Sequence, residues 1–369
     1  MYLIRHAEAE GNVYRRAHGH YNGGLTSNGL AQLACLQKYF KGHKIDALYA
    51  SDLQRTLQTA EAVAEVCHLP VQREPRLREI ALGEWEDRPW GALIEEGIDV
   101  LGWFEGKSNH IVKEAETRDI VKVRMRKVAE EIAARHVGET IILVSHGCAI
   151  RYLLELYAEE FVPHLDNASV SLLEWEGKEA RLLFAGENAF LKDLSTHAKQ
   201  DWWKEGFEAR KDVELWFSPA SLPEDLDAVM AYSREAWRSV YGTMDGYQEE
   251  TNSRAFFESA ETNPRYLQFV MKGSKRIGLF HMRDAGRLSV SDGHIALFYL
   301  DAAHQGCGLG VQLLGEAISL AKLAEKKGLT LRVFHQNRRA LAFYKKMGFV
   351  QCGEEEGRFG KIHHMRLAL

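Results

Sequence analysis

The chain has 369 residues and five cysteines; 46% of its residues are hydrophobic, 27% are charged, and the formal net charge is −5. This length favours two domains with sizeable cores, and the mildly acidic balance gives no electrostatic reason to expect nucleic acid or an anionic membrane as a partner. Scattered cysteines, together with the lack of a visible signal peptide and of any run of about 20 apolar residues, favour a globular protein of the reducing cytoplasm.

The first strand-to-loop transition lies at the start of the chain. Tyr2 to Ile4 form a short apolar run typical of a buried strand, and Arg5 and His6 follow where that strand would end. Ligands of open α/β sheets bind outside the carboxyl ends of the strands, so a cation beside an imidazole here suits an anionic substrate and a nitrogen nucleophile. Taken alone, the pair fits a solvated loop equally well.

Three later segments add groups that bind anions or carry protons. A turn over residues 24–26 leads into a helix over 29–40. Ser51 follows a strand-like run, and the next helix carries Arg55, whose rigid fork binds phosphate oxygens in bidentate fashion. Residues 77–86 add the carboxylate of Glu79 and the ring of Trp85.

Residues 83–118 interrupt the alternation of strands and helices. This insertion carries four large aromatic residues: Trp85, Trp90, Trp103 and Phe104. The rings either line a pocket for an organic phosphate or pack the insertion onto the core, and the second interpretation is the simpler one.

A second strand-to-helix transition has the same form as the first. The β-branched run over 140–144 is followed by Ser145, His146 and Gly147, and then by an amphipathic pattern over 149–157. A helix N-terminus offers free N–H groups to a phosphate, so His146 is a natural partner for His6. The alternation of strands and helices predicts an α/β fold, a three-layer αβα sandwich around a mostly parallel sheet, closed by a hairpin over 169–184.

Together, these blocks resemble the histidine phosphatase (phosphoglycerate mutase-like) superfamily over roughly residues 1–195. The matching positions are Arg5, His6 and Asn12; Ser51, Arg55, Thr59 and Ala60; Leu77, Glu79, Gly83, Trp85 and Glu86; and Ser145 to Gly147. Ala7 and Asp87 stand where glycine is usual, and a Pro-Gly-Gly-Glu-Ser turn is missing near residues 113–117. These departures bear on substrate preference more than on chemistry.

The resemblance implies metal-independent hydrolysis of a phosphomonoester through a phosphohistidine at His6. Arg5, Arg55 and His146 would then clamp the transferring oxygens, as phosphoryl transfer requires. Glu79 would protonate the leaving alkoxide and later activate water, unless it is a surface carboxylate. The expected substrate contacts are Asn12, Thr26, Ser145 and Gly147, and for Thr26 and Ser145 a capping role fits equally well.

The second half of the chain begins after a polar segment with aromatic residues. Residues 197–211 predict a linker, docked on one domain, between a first domain over 1–196 and a second over 212–369. A buried-strand pattern over 294–300 precedes a glycine-rich turn over 301–310 and a helix, an arrangement that lets N–H groups approach a pyrophosphate. The turn lacks a third glycine and a Gly-Lys-Ser/Thr ending, so Rossmann and P-loop folds are excluded.

These later parts resemble the GNAT superfamily of N-acetyltransferases over roughly residues 212–369, through the glycine-rich turn and the block from Asn337 to Phe349. The resemblance implies an α+β fold with a mixed, splayed sheet that binds acetyl-CoA as the acetyl donor. Tyr344 would protonate the departing thiolate, or else serve as a core aromatic. Candidate bases for the acceptor amine are Asp292, His294, His281 or water. The expected cofactor-binding residues are Leu300, Gln305, Gly306, Gly308, Leu309, Gly310 and Asn337.

Three functions are compatible with these resemblances. The favoured one is a bifunctional phosphatase and N-acetyltransferase that acts on a small-molecule phosphoester and an amine acceptor, without metal, nucleic acid or membrane. The second is a phosphatase with a non-catalytic acetyl-CoA-binding regulatory module. The third is a phosphoglycerate mutase-type phosphotransferase, ranked last because the Gly-x-Trp-Glu pattern after Glu79 resembles the phosphatase branch.

Overall fold

The computed structural model describes residues 1–177, 179–200, 214–284 and 291–369. They form two compact units, one of residues 1–88 and 96–200 and the other of residues 89–95 and 214–369. Most of the predicted linker over 197–211 lies outside the described residues, so the domain bounds stay a prediction. Unlike the sequence-based division, the structure groups the short helix Trp90–Glu95 with the second unit.

The first unit is built on six strands and seven α-helices among its described residues. The strands are β1 (Tyr2–Arg5), β2 (Ala47–Ala50), β3 (Val71–Arg73), β4 (Ile141–Ser145), β5 (Val170–Glu176) and β6 (Glu179–Glu187). The helices are α1 (Glu10–Tyr14), α2 (Ser27–Phe40), α3 (Gln54–Cys67), α5 (Val100–Phe104), α6 (Arg118–Arg135), α7 (Gly147–Leu154) and α8 (Thr196–Lys199), the label α4 being kept for Trp90–Glu95. The sheet order is β3-β2-β4-β1-β5-β6, with β1 to β4 parallel and β5 and β6 antiparallel.

Successive residues of each strand pack on opposite faces of this sheet, because the side chains of a strand alternate between its two sides. Ile4 and Leu48 lie in one core cluster with Phe40 of α2 and with side chains of α3. On the other face, the Tyr49 hydroxyl lies 2.9 Å from Nε2 of His136, which follows α6. The predicted α/β class is confirmed, and the sheet is mixed, with the parallel strands β3, β2, β4 and β1 on one side and the antiparallel strands β5 and β6 on the other.

The parallel strands bring their carboxyl ends to one edge. Arg5 pairs with Ser145, and Ala50 pairs with Val144. Residues that directly follow β1, β2 and β4 therefore start from the same edge of the sheet, which is where ligands of such sheets bind.

The second unit contains seven strands and, besides α4, four α-helices among its described residues. The strands are β7 (Trp216–Pro219), β8 (Leu267–Lys272), β9 (Lys275–Asp284), β10 (Asp292–Leu300), β11 (Gly328–Phe334), β12 (Val350–Gly357) and β13 (Gly360–Ala368). The helices are α9 (Leu226–Tyr241), α10 (Glu249–Thr262), α11 (Gly310–Leu323) and α12 (Arg338–Lys346). The sheet order is β12-β13-β11-β10-β9-β8-β7, and among the described strands only β10 and β11 pair in parallel.

The central strands β10 and β11 separate part-way along their length. Their pairing runs from Asp292 with Gly328 to Ile295 with Leu331, although β10 continues to Leu300 and β11 to Phe334. The pairing of β10 with β9 also shifts register between Ile295 and Leu297. The mixed, splayed sheet predicted from the sequence is therefore confirmed.

A buried histidine makes the stability of the second unit depend on pH. Nε2 of His281 lies 2.8 Å from Ser259 Oγ, and burial, with Arg283 and His294 nearby, lowers the pKa of His281 from 6.5 to about 3. Below pH 6.5 the unfolded chain binds a proton that the folded unit does not, so stability falls as the pH falls. We expect a lower urea midpoint at pH 5 than at pH 7, and a smaller difference in His281→Gln. If the urea midpoint differs between pH 5 and pH 7 by the same amount in both proteins, His281 does not cause the pH dependence.

Candidate active sites

His6 is held in one orientation at the carboxyl end of β1. Its backbone N–H donates to the Ser145 carbonyl (3.0 Å), and its Nδ1 lies 2.8 Å from the Ala7 carbonyl oxygen. A carbonyl can only accept, so Nδ1 carries the proton and Nε2 keeps its lone pair. Burial, reinforced by the charges of Arg55 and Arg5, holds the pKa of His6 well below its usual range. The ring is therefore neutral at pH 7 and able to act as a nucleophile.

His146 and Arg5 place two buried polar atoms without partners near His6. The ring centroids of His6 and His146 are 5.2 Å apart, and His146 Nε2 lies 2.9 Å from Ser51 Oγ. Arg5 Nη1 donates to the Leu165 carbonyl. Among the described residues, Arg5 Nε and His146 Nδ1 are buried without a hydrogen-bond partner. Such atoms are uncommon in folded proteins. A bound anion would accept a hydrogen bond from Arg5 Nε and, in the tautomer protonated at Nδ1, from His146.

The guanidinium of Arg55 is buried and held by two backbone carbonyls. Its Nη1 donates to Tyr21 (2.8 Å) and its Nη2 to Gly19 (2.7 Å). Burial lowers the pKa of Arg55 to about 10, so the group still carries a positive charge at pH 7. With Arg5, it gives the surroundings of His6 a fixed positive charge suited to phosphate.

Glu86 organises the loop that holds Arg55. Its carboxylate accepts from four backbone N–H groups, those of Gly19 (3.1 Å), His20 (2.7 Å), Tyr21 (2.8 Å) and Leu82 (3.0 Å). A Cβ on Gly19 would lie 2.5 Å from Glu86 Oε1 and 2.3 Å from the Ile80 carbonyl oxygen, so only glycine fits there. The carbonyls of this loop are thereby fixed where Arg55 needs them.

Replacing Glu86 tests this support. In Glu86→Ala, the loop loses its acceptor, so Arg55 loses its alignment, and we expect kcat/KM for p-nitrophenyl phosphate to fall about 100-fold. The control is Glu84→Ala, an exposed neighbour in the same turn, which should keep the wild-type value. Equal kinetics in the two variants would show that the loop does not position Arg55.

Glu79, the predicted acid, binds the N-terminus of α7. Its Oε1 accepts from the N–H groups of Ala149 (2.9 Å) and Ile80 (3.0 Å), and its Oε2 from that of Cys148 (3.1 Å). The side chain is buried, and its charge acts on both Arg5 and Arg55. Glu79 therefore lies near the cluster, and every hydrogen bond described for its carboxylate is one that it accepts.

The predicted substrate contacts also bind the protein itself. Thr26 Oγ1 accepts from Gly29 N–H (3.0 Å) and donates to Glu8 (2.7 Å), Ser145 Oγ donates to the Leu77 carbonyl (2.6 Å), and Asn12 Oδ1 accepts from Ala9 N–H (3.0 Å) and Asn167 Nδ2 (3.1 Å). Thr26 is the N-cap of α2, the capping role that the sequence left open. Gly147 lies against Arg5, since a Cβ there would be 3.1 Å from Arg5 Nε.

In the second unit, the glycine-rich loop joins the splayed end of β10 to α11. Gln305 Nε2 donates to the Leu300 carbonyl (2.7 Å), and Gly306 and Gly308 adopt positive φ angles of 85° and 76°. Leu309 is the N-cap of α11, which begins at Gly310. The predicted residues therefore come together in one loop whose backbone leads into a helix N-terminus.

The other predicted residues of this unit lie on or next to α12. Asn337 caps the helix, its Oδ1 accepting from Ala340 N–H (3.1 Å). Tyr344 contacts the rings of Phe343 and Phe349, and burial raises the pKa of its phenol, so it keeps its proton at neutral pH. Arg339, which sequence reasoning missed, brings its guanidinium to the loop, 2.8 Å from where a Cβ on Gly306 would lie.

The family comparison decides the assignment of the first unit. The sequence model of the histidine phosphatase superfamily (branch 1) matches residues 1–188, about half of the chain. The chain belongs to this superfamily. The model of the GNAT acetyltransferase family matches residues 226–349, so the chain also carries a GNAT domain, and both predicted families are confirmed.

The relatives of the histidine phosphatase half carry different names. A protein of Hydrogenobacter thermophilus provisionally named phosphoserine phosphatase 2 is 25% identical over 53% of this chain and 98% of its own length. A protein of Photorhabdus laumondii named probable phosphoglycerate mutase GpmB is 34% identical over 48% of this chain and 85% of its own length. A solved structure named mycobacterial hydrolase 1 is 24% identical, covers 51% of this chain and 98% of its own, and has a TM-score of 0.47.

Asp87 departs from the superfamily pattern, and its polar contacts compensate for the backbone conformation that this position requires. Its φ of 58° lies in the left-handed region that favours glycine. Its carboxylate accepts from Arg16 Nε at 2.7 Å and lies 3.3 Å from Nε2 of His18. Polar contacts thus offset the backbone cost of a side chain at this position. The sequence analysis did not predict His18 and His20 as site residues, because they lie between the recognisable blocks. Their charges act on His6 and His146, respectively.

The aromatic residues of the insertion have a packing role. Trp85 is 1% exposed, and its ring centroid lies 4.9 Å from that of Trp103 and 5.7 Å from that of His110. Phe104 contacts Trp103 at 5.1 Å. The interpretation that the rings pack the insertion onto the core accounts for these contacts. Trp90, by contrast, belongs to the second unit.

Two further findings concern metals and membranes. The described residues contain no group of three or more His, Cys, Asp or Glu side chains that could hold a metal ion. Within the same residues, no helix is both long and apolar enough to cross a bilayer.

Proposed function

We propose that the chain is a bifunctional enzyme that joins a metal-independent phosphomonoesterase to an acetyl-CoA-dependent N-acetyltransferase. The observation that carries the first activity is the buried, neutral His6, whose Nε2 keeps its lone pair between Arg5, Arg55 and His146. A nucleophile among fixed positive charges, beside the unpartnered N–H of Arg5 Nε, is the arrangement that phosphoryl transfer needs.

The hydrolysis proceeds in two displacements. Nε2 of His6 attacks phosphorus, the phosphorus–oxygen bond to the alcohol breaks, and Glu79 gives a proton to the leaving oxygen. Glu79 then takes a proton from water, which attacks the phosphohistidine and releases phosphate and His6. Arg5, Arg55 and His146 hold the three other phosphoryl oxygens. A protonated Glu79 would donate one hydrogen and still have lone pairs that can accept from the N–H groups of α7.

The experiment that tests this activity is hydrolysis of p-nitrophenyl phosphate in EDTA. We expect chelator-resistant turnover. Lack of turnover would oppose the proposal. Because a relative is named as a mutase, interconversion of 2- and 3-phosphoglycerate is measured in parallel. Interconversion that depends on a bisphosphoglycerate primer, without net hydrolysis, would establish the mutase alternative instead.

We propose acetyl transfer for the GNAT domain because its residues fit acetyl-CoA. The gap between β10 and β11 beyond Ile295 leaves room for the pantetheine arm, and the backbone over 306–310 with the α11 N-terminus suits the pyrophosphate. When bound, acetyl-CoA supplies an activated thioester. Asn337 would contact the pantetheine arm or hold the two strands apart, and Tyr344 would give its phenolic proton to the departing sulfur.

Thiol release from acetyl-CoA tests this second activity. With tyramine, spermidine and lysine as acceptors, we expect amine-dependent release of free thiol. Binding of acetyl-CoA without any release, together with altered phosphatase kinetics, would support the regulatory-module alternative instead.

A further inference from the structure

Strands β12 and β13 carry a histidine–glutamate pair that the steps above leave unused. His364 Nε2 lies 3.3 Å from Glu355 Oε2, and Glu355 Oε1 forms an ion pair with Arg332. The side chains of His364 and Glu355 are 22% and 39% exposed. His364 Nε2, the nitrogen that faces Glu355, is itself buried, so a ligand would reach the ring at Nδ1. An imidazole held against a carboxylate is a common general base in enzymes.

The pair lies level with the point where β10 and β11 separate. Leu331 is the last residue of β11 that pairs with β10, and Arg332 follows it. His364 is the cross-strand partner of Arg332 on β13. Cross-strand partners have Cβ atoms about 5 Å apart, so His364 lies one strand away from the opening.

The face of the sheet that carries His364 is the one bordered by α9. Arg332 and Phe334 are two residues apart on β11 and therefore share this face with His364. The ring of Phe334 lies 5.2 Å from that of Tyr241, at the end of α9. Met365, the next residue of β13, points to the other face and is buried. His364 thus faces the space beside α9 rather than the core.

The bases considered from the sequence are engaged elsewhere. Asp292 forms a two-point ion pair with Arg366 (2.7 and 3.0 Å). His294 Nδ1 lies 3.0 Å from Thr330 Oγ1 and is buried in the paired part of β10. His281 is buried against Ser259. Each has a structural partner and little access to an acceptor amine.

We propose that His364 is the general base for the acceptor amine, with Glu355 as a positioning residue; this assignment rests on the proposed acetyl transfer. His364 takes a proton from the amine as its nitrogen bonds to the acetyl carbonyl carbon. The carbon–sulfur bond breaks, and the sulfur takes the phenolic proton of Tyr344. The charged or titratable groups near His364 include Glu355, Arg332 and His294, and Arg366, two residues along β13, shares its face.

The test compares His364→Gln and Glu355→Gln with His363→Gln, a neighbour on the opposite face whose Nδ1 lies 3.9 Å from Glu354. With tyramine, spermidine and lysine as acceptors, we expect kcat at pH 7 to fall about 100-fold in His364→Gln and to recover partly at pH 9, where more of the amine is already neutral. The kcat of Glu355→Gln should fall about tenfold, and that of the control should not change. Acetyl-CoA affinity by calorimetry should be unchanged in all three.

A readout that a merely structural role would not move is the pH dependence of kcat. The partial recovery at pH 9 should appear in Glu355→Gln as in His364→Gln. Wild-type kcat in His364→Gln, an equal loss in the control, weakened acetyl-CoA binding in His364→Gln or no recovery at pH 9 would each overturn the assignment. If the wild type binds acetyl-CoA and acetylates none of the amines, the proposed acetyl transfer fails and this assignment with it.

Discussion

Replacing His6 by alanine is expected to abolish phosphomonoester hydrolysis. Loss of a covalent nucleophile removes the first displacement altogether, so kcat for p-nitrophenyl phosphate in EDTA should drop by about 10⁴-fold or more. Wild-type enzyme quenched during turnover should contain acid-labile phosphate on His6, and His6→Ala should contain none. Because burial and two arginines keep His6 neutral, wild-type turnover at pH 6 should not show the loss that protonation of an ordinary histidine causes.

The matched control for this variant is His43→Ala, an exposed histidine after α2. It should keep the wild-type rate. If His6→Ala still hydrolyses p-nitrophenyl phosphate at a substantial rate, and an inhibitor of the wild-type enzyme also suppresses this hydrolysis, the phosphohistidine mechanism is wrong. If His6→Ala and His43→Ala both lose their activity, the losses point to a folding defect.

Replacing Arg55 by lysine is expected to have the second-largest effect. Lysine keeps the charge but not the planar fork, so it cannot reach both the Gly19 and Tyr21 carbonyls and still present N–H groups to phosphate. We expect kcat/KM to fall about 10³-fold, the scale of arginine contributions to phosphoryl transfer.

Arg76→Lys is the control for Arg55→Lys. Arg76 is partly exposed and pairs with Glu74 (2.8 Å) and Glu131 (2.6 Å) at the surface. Its replacement should leave kcat/KM unchanged, since surface ion pairs contribute little. If the two arginine variants behave alike, charge rather than the fork is what matters at position 55.

The positions of the residues at strand ends could be predicted from the sequence, for a physical reason. Arg5, His6, Ser145 and His146 each belong to an apolar run or follow it directly, and parallel pairing brings the ends of such runs to one edge. Side-chain periodicity is local, so it can be read from the chain without knowing the fold.

What the sequence could not reveal depends on contacts between distant segments. Glu86 accepts hydrogen bonds from the loop around Gly19, more than sixty positions away in the sequence, and no local sequence pattern predicts these contacts. The hydrogen bonds that Glu79 accepts from α7, and the pairing of Glu355 with His364, arise likewise from how separate elements meet. Residue type and spacing suggested the roles, but only tertiary structure supplies the partners.

The grouping of α4 with the second unit affects how the two activities can be dissected. The chain leaves the first unit after residue 88 and returns at residue 96, so a cut near residue 200 does not yield two intact pieces. A fragment of residues 1–200 would carry Leu93, which is fully buried in the whole chain, without its surroundings, and a fragment from residue 214 would lack that helix. Expression of separate halves is therefore a poor route to independent enzymes. Inactivating one centre at a time in the full-length chain leaves both cores complete.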